Sequence, residues 1–299
     1  MAIYSSTINR EPSDEIPVGS EFGITPARLR FNFASTESTI VVNSEFAGTL
    51  LSICIRSKGV AHSLVGTGVL VGSGVAITAA HVINDFIPDI VDGNLGTLVI
   101  GYSINAMHLW VIRKINILPE TDLAILGLSL VSDIPPVLTV AAISTKYPGI
   151  GETVYLVGAR ASKAVYQGDN YSDQFLGQVT INAFQGVVSN RYPIRRDESM
   201  LRGPSLQVEC SSFSGMSGGP VFNNEGSLIG ILSSSYDGGP SYASLVWPLL
   251  TMGFRGGWPR SAFPDIRTLV DSADCYIDDR TLVTRNHSRG ITSYTVPGE

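Results

Sequence analysis

From Thr49 onward the chain is cut into short apolar segments of strand length, and that chopping limits what it can fold into. TLLSICIR, VGTGVLVG, GVAITAA, TLVIGYSI, HLWVIRKINIL and LAILGL follow one another, rich in β-branched residues and separated by turn residues. A proline-rich connection, SDIPPVLTVAAISTKYPGIG, ends this series. A second series follows: ETVYLVGA, QVTINAFQGVVS, SLQVECS, PVFN, SLIGILSS and YASLVWPL. Strands this short leave open edges unless the sheet closes on itself, so closed antiparallel barrels are the expected architecture. Helix signals are few: one turn in TAAHVIND and a short C-terminal helix in DIRTLVDS, residues 265–272.

This pattern divides the chain into four parts. Residues 1–45 are polar, carry Pro12, Pro17 and Pro26, and read as an irregular arm with one strand near RLRFNF. A first barrel is expected over 46–135, a second over 136–250, and an extension over 251–299. The segment ARASKAVYQGDNYSDQFLG, residues 159–177, reads as a long polar loop near the cleft of the second barrel.

Composition excludes several functions. Apolar residues make up 44% and charged residues 15%, a folded, turn-rich balance with 31 glycines. The net charge is −6 with no basic run, which argues against nucleic-acid and membrane-surface partners. Cys54, Cys210 and Cys275 stand in no CxxC or Cys/His spacing, so buried thiols are expected, with no metal site and no cofactor. The first 25 residues lack a basic stretch followed by an apolar one. The most apolar stretch is broken by glycines and by His81, short of the ~18 residues a membrane helix needs. A reducing cytoplasmic setting is the expectation.

The stretch FSGMSGGP, residues 213–220, raises the question of chemistry. Gly, Ser and Pro clusters are ordinary turn material, and a serine is a poor nucleophile without a base. Of the four histidines, His81 stands apart, because it follows an apolar strand and the small residues Thr78, Ala79 and Ala80. His62, His108 and His287 are given no role. Asp122, at the head of the apolar segment LAILGL, would be drawn inward, where a carboxylate must find a donor. Asp85, Asp89, Asp92 and Asp133 sit in loop-like surroundings. Ser214 lacks the Gly-Gly that follows Ser217 and is read as loop.

TAAH, TDLAIL and GMSGGP occur in that order, each once. In these motifs and their spacing the chain resembles the trypsin-like, chymotrypsin-fold serine peptidases, and is similar to bacterial stand-alone trypsin-like peptidase domains over roughly residues 48–250. The resemblance implies an all-β fold class, two six-stranded antiparallel barrels with the site in the cleft between them. It implies a serine endopeptidase acting on protein or peptide substrates, with catalytic residues His81, Asp122 and Ser217 and an oxyanion hole of the Gly215 and Ser217 amides. The substrate pocket maps to Ser211, to Ser233, Ser234 and Ser235, and to the segment near Pro240 and Tyr242. With no acid at Ser211, a small or medium uncharged side chain is expected there rather than Lys or Arg. Met216 stands where many secreted members carry an aspartate that pairs with a newly cut N-terminus, so no proteolytic switch is expected. The rival readings are a catalytically silent domain acting as a binding or scaffold module, and an esterase. The oligomeric state is left open.

Overall fold

The computed structural model describes residues 2–6, 15–16, 22–29, 31, 37–40, 48–57, 63–103, 107–118, 120–135, 137–166, 175–235, 238–278, 284–288 and 291–295. Side chains of 161–179 and of the strands before residue 7, over 37–40 and beyond 283 lie outside this description, and so do His62 and the His287 ring.

The first six segments form one closed barrel. Leu50–Ser57, Ser63–Gly72 and Val75–Thr78 run in sequence, and the circuit continues through Leu123–Leu130, Met107–Leu118 and Leu95–Tyr102 back to the first strand. Every neighbouring pair is antiparallel. Leu123–Leu130 is buried along its whole length, which explains its nearly continuous apolar sequence.

The second series closes as well. Thr153–Tyr166 pairs with Phe175–Tyr192, then come Ser205–Glu209, Ser241–Leu245 and Leu228–Ser235. The short strand Pro220–Phe222 pairs with both Thr153–Tyr166 and Leu228–Ser235 and so seals the ring of six. The fold is therefore two six-stranded antiparallel barrels with few and short helices. Among the described residues no helix is long and apolar enough to cross a membrane.

Three local expectations are corrected. The strand expected near RLRFNF is set just before it, at Gly23–Ala27, where it pairs in parallel with Val137–Ala141. After Ala27 the chain turns to other partners: Leu29 N–H donates to Gly226 C=O, and Arg28 is ion-paired with Asp278. Residues 265–272 form turns instead of a helix. Arg267 bridges Phe254 in both backbone directions, and the Thr268 hydroxyl accepts the Asp271 amide, so local bonds displace the helical ladder. The short helices before this segment are Trp247–Leu250 and the 3-10 turn Arg260–Ala262. Finally, 159–177 is largely a two-stranded extension of the second barrel, since Thr153–Tyr166 and Phe175–Tyr192 stay paired out to Tyr166 and Phe175; 167–174 lies outside the described residues.

The C-terminal extension folds back on the first barrel. Trp258 and Phe254 join its core, and Trp258 packs edge-on against Trp110 at 6.0 Å. Asp274 accepts the Ser73 amide at 2.8 Å and pairs with Arg267 at 2.5 Å, with side-chain exposures of 5% and 12%. This pair closes the extension over the Gly72–Gly74 turn. Asp274→Ala would leave the Arg267 charge buried and unpaired, so urea unfolding should show a loss of about 3 kcal/mol.

His108 is buried in the first barrel, and among the described residues its Nδ1 has no hydrogen-bond partner. Burial lowers its pKa from the ordinary 6.5. The unfolded chain then binds a proton that the folded barrel resists, so this contribution is whole above about pH 6.5 and fades as pH falls through it. Urea unfolding across that range should show stability declining on acidification, and His108→Gln should flatten this part of the profile.

Candidate active site

The first barrel delivers a histidine and an aspartate to one place. Ala79 joins the strand Val75–Thr78 to the short helix Ala80–Asn84, of which His81 is the second residue. Asp122 directly precedes the buried strand Leu123–Leu130 and is drawn inward by it, leaving its side chain 13% exposed. A carboxylate held there needs donors, and His81 supplies two. The His81 amide donates to Oδ1 at 3.0 Å, and Nδ1 lies 2.7 Å from Oδ2. The Asp122 carbonyl accepts the Ala80 amide at 3.2 Å, which fixes the helix start to the same residue. A carboxylate can only accept here, so Nδ1 donates, and in the neutral form of the ring Nε2 keeps its lone pair. The His81 side chain is 43% exposed, in keeping with a ring at a surface groove.

The second barrel brings the Ser217 backbone onto Thr67, beside the strand that leads into this turn, and among the described residues Ser217 and His81 share no hydrogen bond. The Ser217 carbonyl accepts the Thr67 amide at 2.8 Å, and the Gly218 amide donates to Leu232 C=O at 2.8 Å. Gly218 has φ +80°, and a Cβ there would overlap the Thr78 hydroxyl and the Thr67 carbonyl while lying 3.2 Å from the Ala79 amide. A Cβ on Gly66 would meet Val82 methyls at 2.7 Å and the Ser217 carbonyl at 2.8 Å. Ser217 is thus packed on Thr67, and its neighbour Gly218 on Thr78 and Ala79, the residues leading into His81. Close approach of two backbones is what the glycines permit.

The loop between Phe213 and Gly219 has a distinctive hydrogen-bond pattern. The Met216 amide donates to Phe213 C=O and the Gly219 amide to Met216 C=O. Among the described residues, the Gly215 and Ser217 amides have no acceptor in the protein. Gly215 holds φ +97°, in the left-handed region that a side chain disfavours. Met216 is fully buried in the second core, where a Cβ on Gly158 would sit 2.7 Å from its Cβ. It fills apolar space and has no charged partner to seek.

The expected pocket residues are divided. Ser211 and Ser235 are exposed, whereas Ser233 is 3% exposed with its hydroxyl 2.8 Å from that of Ser244. Ser241 ties this wall together, donating to Cys210 C=O at 2.7 Å. Tyr242 is buried under the Arg196 guanidinium, 4.1 Å from its ring centroid, and Arg196 pairs with Asp197. Of the three cysteines, Cys54 and Cys275 are buried and Cys210 is partly exposed. Burial pushes the Cys54 thiol up to about 12, so it is inert at neutral pH.

Sequence reasoning missed the loop 193–204. It crosses from the second barrel to the turn carrying Asp122, where a Cβ on Gly203 would meet Thr121 Cγ2 at 2.6 Å. Asp197 organises it: partial burial alone would raise its pKa, but hydrogen bonds from the Met200, Leu201 and Ser199 amides and the Ser199 hydroxyl outweigh that and hold it at about 2. Asp and Ser are ordinary turn residues, and nothing local to DESM points to Thr121.

A family model described as a trypsin-like peptidase domain matches residues 66–231. No curated protein matches the chain. Among solved structures it is similar to the active form of the Rv3671c protease from M. tuberculosis, at 17% identity and TM-score 0.45, over 67% of this chain and 77% of that one. It is similar to the MamO protease domain from Magnetospirillum magneticum, at 16% identity and TM-score 0.45, over 67% and 93%. A serine endoprotease from Yersinia pestis shares 24% identity with TM-score 0.43, over 67% of this chain and 59% of that one.

The tight contact behind the serine makes Gly218→Ala a sharp probe. A left-handed φ costs about 1–2 kcal/mol for an alanine, and the overlap with Thr67 and Thr78 adds about 1–3 kcal/mol. Urea unfolding should show a loss of at least about 2 kcal/mol, whereas Gly238→Ala, with open space around its Cβ, should lose only the φ part.

Proposed function

The chain belongs to the trypsin-like peptidase domain family, and on that premise we propose that it is a serine endopeptidase whose triad is Ser217, His81 and Asp122. The observation that carries this reading is the paired hold of the Asp122 carboxylate on the amide and Nδ1 of His81. It sets the tautomer a general base requires, with Nε2 free to take a proton.

In this reading Ser217 Oγ attacks the carbonyl carbon of a peptide bond while its proton passes to His81 Nε2. The carbonyl oxygen becomes an anion, and the Gly215 and Ser217 amides, which have no acceptor among the described residues, donate to it. As the tetrahedral adduct collapses, the C–N bond breaks and the amine leaves with the proton from His81. Water, deprotonated by the same imidazole, then hydrolyses the ester on Ser217. Asp122 stabilises the imidazolium in both steps without itself taking the proton.

The substrate is a protein or peptide, with a small or medium uncharged side chain in the primary pocket. Ser211, mapped to the base of that pocket by the family resemblance and exposed here, brings a hydroxyl and no carboxylate, so it offers a Lys or Arg side chain no anion to pair with. Activity does not await a newly cut N-terminus, because Met216 is packed in the core and offers such a terminus no charge. A reducing cytoplasmic setting fits a chain whose Cys54 and Cys275 thiols lie in the core.

A fluorophosphonate probe tests the reading. It should acylate the wild-type protein at Ser217 and leave Ser217→Ala unmodified. Asp122→Asn should lower the acylation rate by about 10⁴, through loss of the correct tautomer. A folded wild-type protein that resists the probe while a control enzyme reacts would support a silent binding module instead. Labelling with hydrolysis of esters but of no peptide in a proteome-derived library would support an esterase.

A further inference from the structure

Thr67 belongs to the first barrel, in the strand Ser63–Gly72, yet its polar atoms serve the second. It is 1% exposed and lies between Gly66 and Gly68. Its amide donates to Ser217 C=O at 2.8 Å, and its hydroxyl donates to Gly215 C=O at 2.8 Å. The same hydroxyl oxygen accepts the Ala159 amide at 3.0 Å, and the Thr67 carbonyl accepts the Thr78 hydroxyl at 2.7 Å. Every polar atom of the residue is engaged. The two carbonyls it holds belong to Gly215 and Ser217, the residues whose amides face no acceptor among the described residues.

A peptide unit is planar, so the anchored Gly215 and Ser217 carbonyls fix the units that end in Met216 N and Gly218 N; the Ser217 N–H lies in the unit between these two, and the Gly215 N–H in the unit just before the first. With the Gly215 and Ser217 carbonyls both tied to one side chain and its backbone, the intervening loop has little freedom to rotate. The Ala159 amide in turn aims the Thr67 hydroxyl: an oxygen that accepts there has its proton directed to Gly215. The chain Ala159 to Thr67 to Gly215 crosses from second barrel to first and back. Gly66 makes it possible, since a Cβ at that position would collide with Val82 and the Ser217 carbonyl.

We propose that Thr67 is a positioning residue for the oxyanion donors: its hydroxyl, oriented by the Ala159 amide, holds Gly215 in its left-handed conformation and so keeps the Gly215 and Ser217 amides aimed together. It touches no substrate and acts through the loop. The inference rests on the peptidase reading of this same site.

The test compares Thr67→Val, which keeps the shape and loses the hydroxyl, with Thr67→Ser, which keeps the hydroxyl and loses the methyl. Fluorophosphonate acylation, kcat and KM on a peptide ester, and amide hydrogen exchange over residues 213–219 are measured for each. In Thr67→Val, acylation and kcat should fall by about 10- to 100-fold, the scale of a misplaced catalytic group. KM should move by less than about 2-fold, the pattern of an interaction lost only in the transition state. Exchange over 213–219 should quicken, and Thr67→Ser should recover most of both losses. Wild-type exchange and acylation in Thr67→Val would overturn the proposal, and so would a Thr67→Ser variant as impaired as Thr67→Val. Should Thr67→Val fail to fold, the Ala159 amide of the wild-type protein decides: slow exchange supports the hydroxyl contact and fast exchange removes it. If the wild-type protein itself resists acylation, the peptidase reading fails, and the exchange comparison still decides whether Thr67 holds the loop.

Discussion

The Asp122 carboxylate is shared between the backbone and the ring of one residue, and the chemistry proposed for the site depends on that sharing. One oxygen takes the His81 amide and the other takes Nδ1. A surface ion pair of this kind contributes little to stability, but here the aspartate is mostly buried while the histidine is not. The inward pull comes from the wholly buried strand that begins at Leu123. Packing of a β-strand thus places a carboxylate where the amide and the ring of His81 satisfy it together, and the ring is left with one nitrogen to offer.

The serine is placed by a different device. Its loop enters the space between the barrels because three glycines let backbones approach where side chains would collide: Gly66 in the first barrel, Gly218 behind Ser217, and Gly158 beneath Met216. Met216 anchors the loop in the second core, and Thr67 anchors it to the first. The proposed site therefore does not sit on either barrel. It is made where they press together, and loosening either barrel would loosen it. The extension reinforces the first barrel from the far side, through Trp258 and the Arg267–Asp274 pair.

Much of this was legible along the chain. The twelve barrel strands follow the apolar segments closely, because a strand buried on one or both faces writes its burial directly into a period of two or an unbroken apolar run. The single turn of helix at His81 was legible too. The strand at Gly23–Ala27 was not, because its partner, Val137–Ala141, is more than a hundred residues away and the pairing is parallel. A helix looked plausible at 265–272 because its propensity is local, whereas the bridge from Arg267 to Phe254 that excludes it is not.

The sequence by itself determined the barrel strands, the order along the chain of the proposed His81, Asp122 and Ser217, and the glycines around the serine. Those are properties of residue type and short-range pattern. Only the tertiary structure decided that Thr67 would spend its hydroxyl on Gly215, that Ser233 would turn to Ser244, and that Gly203 would rest on the turn of Asp122. Each of these is a contact between elements brought together by closure of two separate barrels, and a hydroxyl or a glycine carries no local mark of which distant partner it will meet.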